Sequence, residues 1–149
     1  MPQRSMHSPI GDLTVSEEDG AIVAVDWGWG RDQAETPLLR EACAQLEAYF
    51  DGTRTEFELP LSPVGDDFQQ AVWRAMQAIP WGVTRTYGEI ADEIGSVARA
   101  VGGACGSNPI PVIIPCHRVT AANGRLGGYS GEGGVETKVA LLRLERALL

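Results

Sequence analysis

The sequence predicts two domains: an α/β domain over residues 1–65 and a mainly α C-terminal domain over 66–149 that carries a helix-turn-helix. Three observations lead there. A β-prone hairpin and one amphipathic helix fill the first part, and four helical periodicities fill the second. Between them Ser62-Pro63-Val64-Gly65-Asp66-Asp67 has the composition of a linker. Charge changes at the same place. Residues 1–67 carry four Arg against fourteen Asp and Glu, a net −10, whereas 68–149 carry eight Lys and Arg against six acids, a net +2.

From Ser8 to Trp27 the chain reads as a hairpin, with Leu13-Thr14-Val15 and residues 21–25 as strands and Glu18-Asp19-Gly20 as the turn. Gly28-Trp29-Gly30 is no dinucleotide loop, because Gln33 stands where the third glycine would be. A helix follows over 37–50, where Leu38 or Leu39, Ala42, Leu46 and Tyr49 recur at helical spacing until Asp51-Gly52 stops it. Cys43 is packing within it. Phe57, Leu59 and Leu61 alternate as a strand that Pro60 places at an edge.

In the second domain, 68–79 reads as an amphipathic helix with Asp67 as its N-cap and Pro80-Trp81-Gly82 as its end. A short helix over 89–94, the Gly95-Ser96 turn and a helix over 97–105 form the helix-turn-helix. The last of these is almost bare on one flank, with Ala98, Ala100, Gly102, Gly103 and Ala104. An interior glycine costs a helix about 1 kcal/mol. Close approach should compensate, either to a packed neighbour or to the floor of a DNA groove. Arg99 projects from this thin helix. Asn108-Pro109 breaks it, a glycine-rich loop over 124–134 carries Tyr129 and Ser130, and a closing helix is expected over 135–149.

Of 149 residues, 44% are hydrophobic and 21% charged, as in ordinary soluble proteins. No apolar run reaches the ~18 residues of a membrane span. No signal-peptide pattern opens the chain, so a reducing, cytoplasmic location and no membrane partner are expected. Cys43, Cys105 and Cys116 form neither a disulfide framework nor a C-x-x-C pair, and no metal site is expected. The net charge of −8 argues against a strongly basic nucleic-acid binder. The second half remains permissive for DNA, with an affinity resting less on counterion release.

The candidate site is Ile113-Ile114-Pro115-Cys116-His117-Arg118-Val119. Val112-Ile113-Ile114 reads as a short buried strand between prolines, which delivers Cys116 at a bend over the core. A thiol with an ordinary pKa near ~8.5 needs a base or a cation to ionise, and His117 and Arg118 follow at once. On the closing helix Glu145 falls between Leu141, Leu142, Leu148 and Leu149, on the face that should be buried. A carboxylate there needs a partner. Lys138, two turns back, is one candidate. His117 is the other, and a Glu145–His117 pair would fix the imidazole tautomer so that its second nitrogen takes a proton.

These residues resemble the O6-alkylguanine-DNA alkyltransferases. The match runs from Phe68 to Glu145 and includes Phe68-x-x-x-Val72-Trp73, Ile79-Pro80-x-Gly82, Thr86-Tyr87-x-x-Ile90-Ala91 and Arg99-Ala100-Val101-Gly102. It continues through Asn108-Pro109, Ile114-Pro115-Cys116-His117-Arg118-Val119, Gly128-Tyr129-Ser130-Gly131 and Lys138-x-x-Leu141-Leu142-x-x-Glu145. The resemblance implies a ribonuclease-H-like N-terminal domain and a winged-helix-like C-terminal one. It implies a single-turnover transfer of an alkyl group from O6-alkylguanine, or O4-alkylthymine, to Cys116, with no cofactor, by a monomer acting on double-stranded DNA.

In that reading His117 holds a water that ionises Cys116, Glu145 orients His117, and Asn108 braces the turn before the active-site segment. Arg99 fills the gap left by the flipped base, while Ala98, Ala100, Gly102 and Gly103 let the helix into the minor groove. Tyr87 presses on the neighbouring phosphate. The flipped guanine is read by Tyr129 and the Ser130 backbone at O6 and by the carbonyls of Cys116 and Val119 at its amine. The chemistry is coherent, because O6 in a stacked duplex is out of reach of a thiolate aligned for in-line displacement. Two departures stand out: the Gly95-Ser96 turn is about two residues shorter than in most members, and the zinc ligands of some relatives have no match. The rival classes are a lesion-binding module without chemistry, which would carry tryptophan in place of Cys116, and a Cys-His hydrolase. The phosphatase form of the latter fails because Ala122 stands where C-x5-R needs arginine.

Overall fold

The computed structural model describes residues 1–148. The chain divides into two compact units, Met1–Val64 and Gly65–Leu149.

In the first unit β1 (Gln3–Met6), β2 (Leu13–Glu18) and β3 (Ala21–Trp27) form an antiparallel sheet in that order. The expected hairpin is β2–β3. Asp19 and Gly20 both adopt positive φ (50° and 78°), the two-residue turn whose twist matches that of the strands it joins. The strand β1 lies outside the predicted hairpin. Its four residues, Gln-Arg-Ser-Met, lack alternation, and pairing with β2 makes it a strand. Helix α1 (Pro37–Phe50) has the predicted bounds; Thr36 caps it and Pro37 opens it. It packs on β1 and β2 and buries Leu39, Ala42, Cys43, Leu46 and Tyr49, while the sheet buries Leu13, Val15, Ile22 and Val25. The predicted strand of Phe57, Leu59 and Leu61 is extended chain without a ladder. Only a bridge from Leu61 to Ile22 forms, and the Gln45 side chain takes up both backbone groups of Glu58.

The second unit contains α2 (Asp67–Gln77), β4 (Arg85–Thr86), α3 (Tyr87–Ile94), α4 (Ala98–Gly106), β5 (Val119–Thr120) and α5 (Val135–Leu144). The parallel two-residue pair β4–β5 was not predicted; it is too short to leave a periodicity. Trp73 is buried at the centre, and its indole Nε1–H donates to Ala104 O at 2.9 Å, joining α2 to α4. The cap of α2 is Asp66, one residue before the expected Asp67. Its carboxylate accepts from Gln69 N while the Gln69 side chain accepts from Asp66 N, a reciprocal capping box that Asp67 is not placed to make. A second box, Thr86 with Glu89, starts α3 at Tyr87, two residues earlier than predicted. Gly95 closes α3 in the left-handed region, φ 73°.

Two further expectations are corrected. Residues 112–114 form a turn, in which Val112 has φ +72°, a strained conformation for a β-branched residue. Pro111 and Pro115, both lacking an N–H, leave too little backbone for a ladder. Helix α5 ends at Leu144, so Glu145 is its C-cap, buried all the same. Arg146 turns the chain at φ +61°. Leu148 is only half-buried, and Leu149 of the expected apolar face lies outside the described residues.

The capping assignment is testable by urea unfolding. Asp66→Ala should lower stability by about 1 kcal/mol without changing the m-value, and Asp67→Ala should cost clearly less. The reverse ranking would overturn the assignment.

Candidate functional site

The site grows out of the turn after α4. Asn108 holds it, donating from Nδ2 to Ile114 O (2.8 Å) and accepting from Ile110 N at Oδ1 (2.9 Å). The chain then passes Pro115 into a 3-10 turn over Cys116–Arg118, all three residues buried. Cys116 is 5% exposed.

Glu145 meets this turn from the end of α5. One carboxylate oxygen accepts from His117 Nε2 (2.7 Å) and from a terminal Arg118 nitrogen (2.9 Å), and the other accepts from Arg118 Nε (2.7 Å). The second terminal nitrogen of Arg118 donates to Ile79 O at 2.7 Å. Two parallel N–H bonds from one guanidinium are the strong, oriented way to bind a carboxylate in a dry site. His117 and Glu145 are fully buried. A carboxylate that accepts from Arg118 can only accept from the imidazole as well, so Nε2 carries the ring proton. Nδ1, also buried, has no hydrogen-bond partner among the described residues. Burial holds His117 below the usual imidazole range against the opposing pull of Glu145. At neutral pH it is therefore a neutral base with Nδ1 as its open end.

Of the two candidate partners for Glu145, His117 is the one present. Lys138 points elsewhere: its Nζ donates to Val119 O (2.6 Å), Gly128 O (3.1 Å) and, at 3.5 Å, the Tyr87 hydroxyl. Burial lowers the Lys138 pKa. Arg118, expected as a cation beside the thiol, is committed to Glu145 and Ile79. The cation acting on Cys116 is Lys138. Burial pushes the Cys116 thiol up, while a side-chain hydrogen bond from Asn108, the Lys138 charge and a backbone hydrogen bond pull it back.

A cavity of about 460 Å³ opens beside Cys116. Tyr87, Gly128, Tyr129 and Ser130 line it together with Gly102, Cys105 and Gly106 of α4. Burial pushes the Tyr87 hydroxyl up to about 12, and the Tyr129 hydroxyl is held above the ordinary phenol range by burial and then by the Cys116 charge. Cys105, to which the sequence reading gave no role, is thus a second thiol on the same cavity. Burial and then the Cys116 charge push it up to about 12, and its Sγ contacts Met76 Sδ at 3.5 Å.

The remaining predicted residues lie around this centre. Ala98 and Arg99 are exposed at the start of α4, Ala100 and Gly102 are half-buried, and Gly103 is exposed. A Cβ on Gly102, Gly103 or Gly106 would meet nothing within 4 Å. The glycine positions of α4 therefore face open space, whereas Ala104 of the same flank is buried and its carbonyl accepts from Trp73 of α2. Asn108 and Val119 are not among the cavity-lining residues, and Val119 O already accepts from Lys138. Among the described residues no group of three His, Cys, Asp or Glu side chains could hold a metal ion. No described helix is long and apolar enough to cross a membrane.

Comparison with known proteins places this geometry. Residues 67–147 match the family described as 6-O-methylguanine DNA methyltransferase, DNA binding domain, and residues 1–63 match its ribonuclease-like domain. The chain is 45% identical over 148 residues to a methylated-DNA--protein-cysteine methyltransferase of Methanosarcina acetivorans, covering 93% of this chain and 94% of that protein. It is 47% identical over 156 residues to the one of Mycolicibacterium paratuberculosis, covering 96% and 91%. A crystal structure of Mycobacterium tuberculosis OGT in complex with DNA superposes with a TM-score of 0.88 at 45% identity, covering 99% of this chain and 94% of that one. With its two family domains matched along nearly the whole chain, and relatives this similar from end to end, the protein belongs to the 6-O-methylguanine DNA methyltransferase family.

Proposed function

We propose that the protein repairs double-stranded DNA by moving the alkyl group of O6-alkylguanine to Cys116, once per molecule and irreversibly. The observation that carries this reading is a buried thiol lining a base-sized cavity, followed in the chain by a neutral imidazole whose proton position is dictated by a carboxylate.

In this mechanism the resting thiol is protonated, because burial raises it. Its proton passes, directly or through one solvent molecule, to His117 Nδ1. The imidazolium that forms is stabilised by Glu145, which Arg118 holds in place. The thiolate sulfur forms a bond to the alkyl carbon as the bond from that carbon to O6 breaks, and the electron pair stays on guanine. Tyr129, whose raised pKa keeps its hydroxyl protonated, donates to the leaving oxygen. The base must first leave the stack. Tyr87 at the cavity wall presses the nucleotide outward. Arg99 takes its place in the duplex, and the open, side-chain-poor flank of α4 is suited to the minor groove. The Ser130 backbone and the Val119 carbonyl, which has a second lone pair beside the one engaged by Lys138, read the flipped base. Cys105 is not the acceptor, since only the Lys138 charge acts against its burial and the Cys116 charge adds to it, whereas Cys116 has both the Asn108 hydrogen bond and the Lys138 charge. The ribonuclease-H-like and winged-helix-like character of the two units, action as a monomer and a cytoplasmic site of action belong to the same reading. The family match and the α3–α4 pair support it.

Two outcomes test it. Mixed with duplex DNA containing O6-methylguanine, the protein should gain one methyl group by intact mass, saturating at one per chain and mapping to Cys116. Cys116→Ser should gain none; a methylated Cys116→Ser protein would remove Cys116 as acceptor. The second concerns pH. The folded His117 pKa lies below the unfolded value near ~6.5. The stabilisation from keeping it neutral is therefore present above about pH 6.5 and is lost as pH falls, when the unfolded chain binds a proton that the folded one refuses. Urea unfolding between about pH 6 and 5 should show stability falling more steeply than in His117→Gln, by up to about 1.4 kcal/mol per pH unit. Equal slopes would mean that His117 is protonated in the fold.

A further inference from the structure

Two thiols line one cavity, and alkyl transfer uses only Cys116. Charge on Cys116 acts on Cys105, and both thiols act on the Lys138 ammonium, so the three groups lie close together. Cys105 is the second-last residue of α4. The backbone beyond it closes with bonds to residues three back, Ser107 N to Ala104 O (3.2 Å) and Asn108 N to Cys105 O (3.3 Å), the tightened bonding of a helix end. Its Sγ touches Met76 Sδ at 3.5 Å, a weak sulfur contact. Gly102, one turn back, and Gly106, next along, border the same cavity, and a Cβ at either would meet nothing within 4 Å. A rotation of the Cys105 side chain away from Met76 therefore carries its sulfur into the open space that Cys116 also borders.

A cysteine that ionises is open to oxidation as well as to alkylation. Its first product, the sulfenic acid, is reversible and condenses with a neighbouring thiol; the sulfinic and sulfonic acids that follow are not recovered by thiols. We propose that Cys105 is a resolving thiol for Cys116: peroxide converts the pair to a Cys105–Cys116 disulfide, which withholds the acceptor sulfur from alkyl transfer and shields it from irreversible oxidation until a dithiol reduces it. His117 Nδ1 takes the Cys116 proton, as in alkyl transfer. The thiolate sulfur bonds to one peroxide oxygen as the O–O bond breaks, and the departing hydroxide takes the proton back from His117 as water. The Cys105 sulfur then bonds to the sulfenic sulfur as the S–O bond breaks, and the Cys105 proton leaves with that oxygen as a second water. Each sulfur gives up one electron, and the peroxide gains two.

The test adds hydrogen peroxide to the full-length protein without DNA and counts thiols by intact mass after unfolding in a maleimide. The reduced chain takes three maleimides, one per cysteine. The oxidised chain should take one, with two hydrogens lost and no oxygen gained, and peptide mapping should join Cys105 to Cys116 and leave Cys43 free. Methyl transfer should disappear with the bond and return on treatment with dithiothreitol. In Cys105→Ala and Cys105→Ser the same exposure should add two or three oxygens to Cys116, and dithiothreitol should recover less than about a tenth of that variant's untreated transfer. The wild-type map decides the question even where a variant folds poorly. Three maleimides after exposure, two or three oxygens on wild-type Cys116, a bond through Cys43, or full recovery in the Cys105 variants would overturn the inference. It shares with the alkyl-transfer reading only the proton path from Cys116 to His117, and the mass readout needs no DNA, so the two fail separately.

Discussion

Glu145 is the constraint on which the site depends. A carboxylate buried out of contact with solvent is tolerated only when charge and hydrogen bonds are returned to it, and here the Arg118 guanidinium and the His117 imidazole return both. Removing one member of such a set typically costs 3–5 kcal/mol, because the others are left buried and uncompensated. The end of α5 and the 3-10 turn at Cys116 are therefore bound together by the groups to which the proposed mechanism assigns the proton transfer. The same geometry that stabilises the unit also determines which imidazole nitrogen is basic.

A second consequence is a division of labour between cations. Arg118 presents a planar, fixed fork of N–H donors, and it serves the carboxylate. Lys138, a compact ammonium on a long stem, spans Val119 O and Gly128 O and brings positive charge to the thiol side. Two thiols border the cavity, yet they are not equivalent. Lys138 acts against the burial of both, but Cys116 also has the Asn108 hydrogen bond, whereas the charge of Cys116 pushes Cys105 further up.

Much of this was legible in the sequence where a pattern is local or periodic. The 37–50 helix, the hairpin turn at Asp19-Gly20 and the burial of the Glu145 carboxylate beside Leu141 and Leu142 all follow from spacing, although the helix itself stops at Leu144. Long-range choices were not legible. Nothing in the order of residues says whether Glu145 meets Lys138 or His117, since both lie within reach of one face, and tertiary packing decides. The run Val112-Ile113-Ile114 has strand composition, but its flanking prolines and the Asn108 brace fold it into a strained turn instead. Cys105 could have been found from its helical spacing to Gly102, had the bare flank of α4 been read as a cavity wall as well as a DNA-facing surface. The Asp66 cap was missed by one residue because Asp66 and Asp67 are chemically identical, and only the reach to Gln69 separates them.

The central claim concerns the position of one proton, and ring nitrogen chemical shifts measure it directly. The chain has two histidines, and His7 is largely exposed, so ¹⁵N-labelled histidine yields two separable ring systems. At neutral pH the account expects His117 to show a protonated Nε2 and a bare Nδ1. A proton on Nδ1, or on both nitrogens, would contradict it.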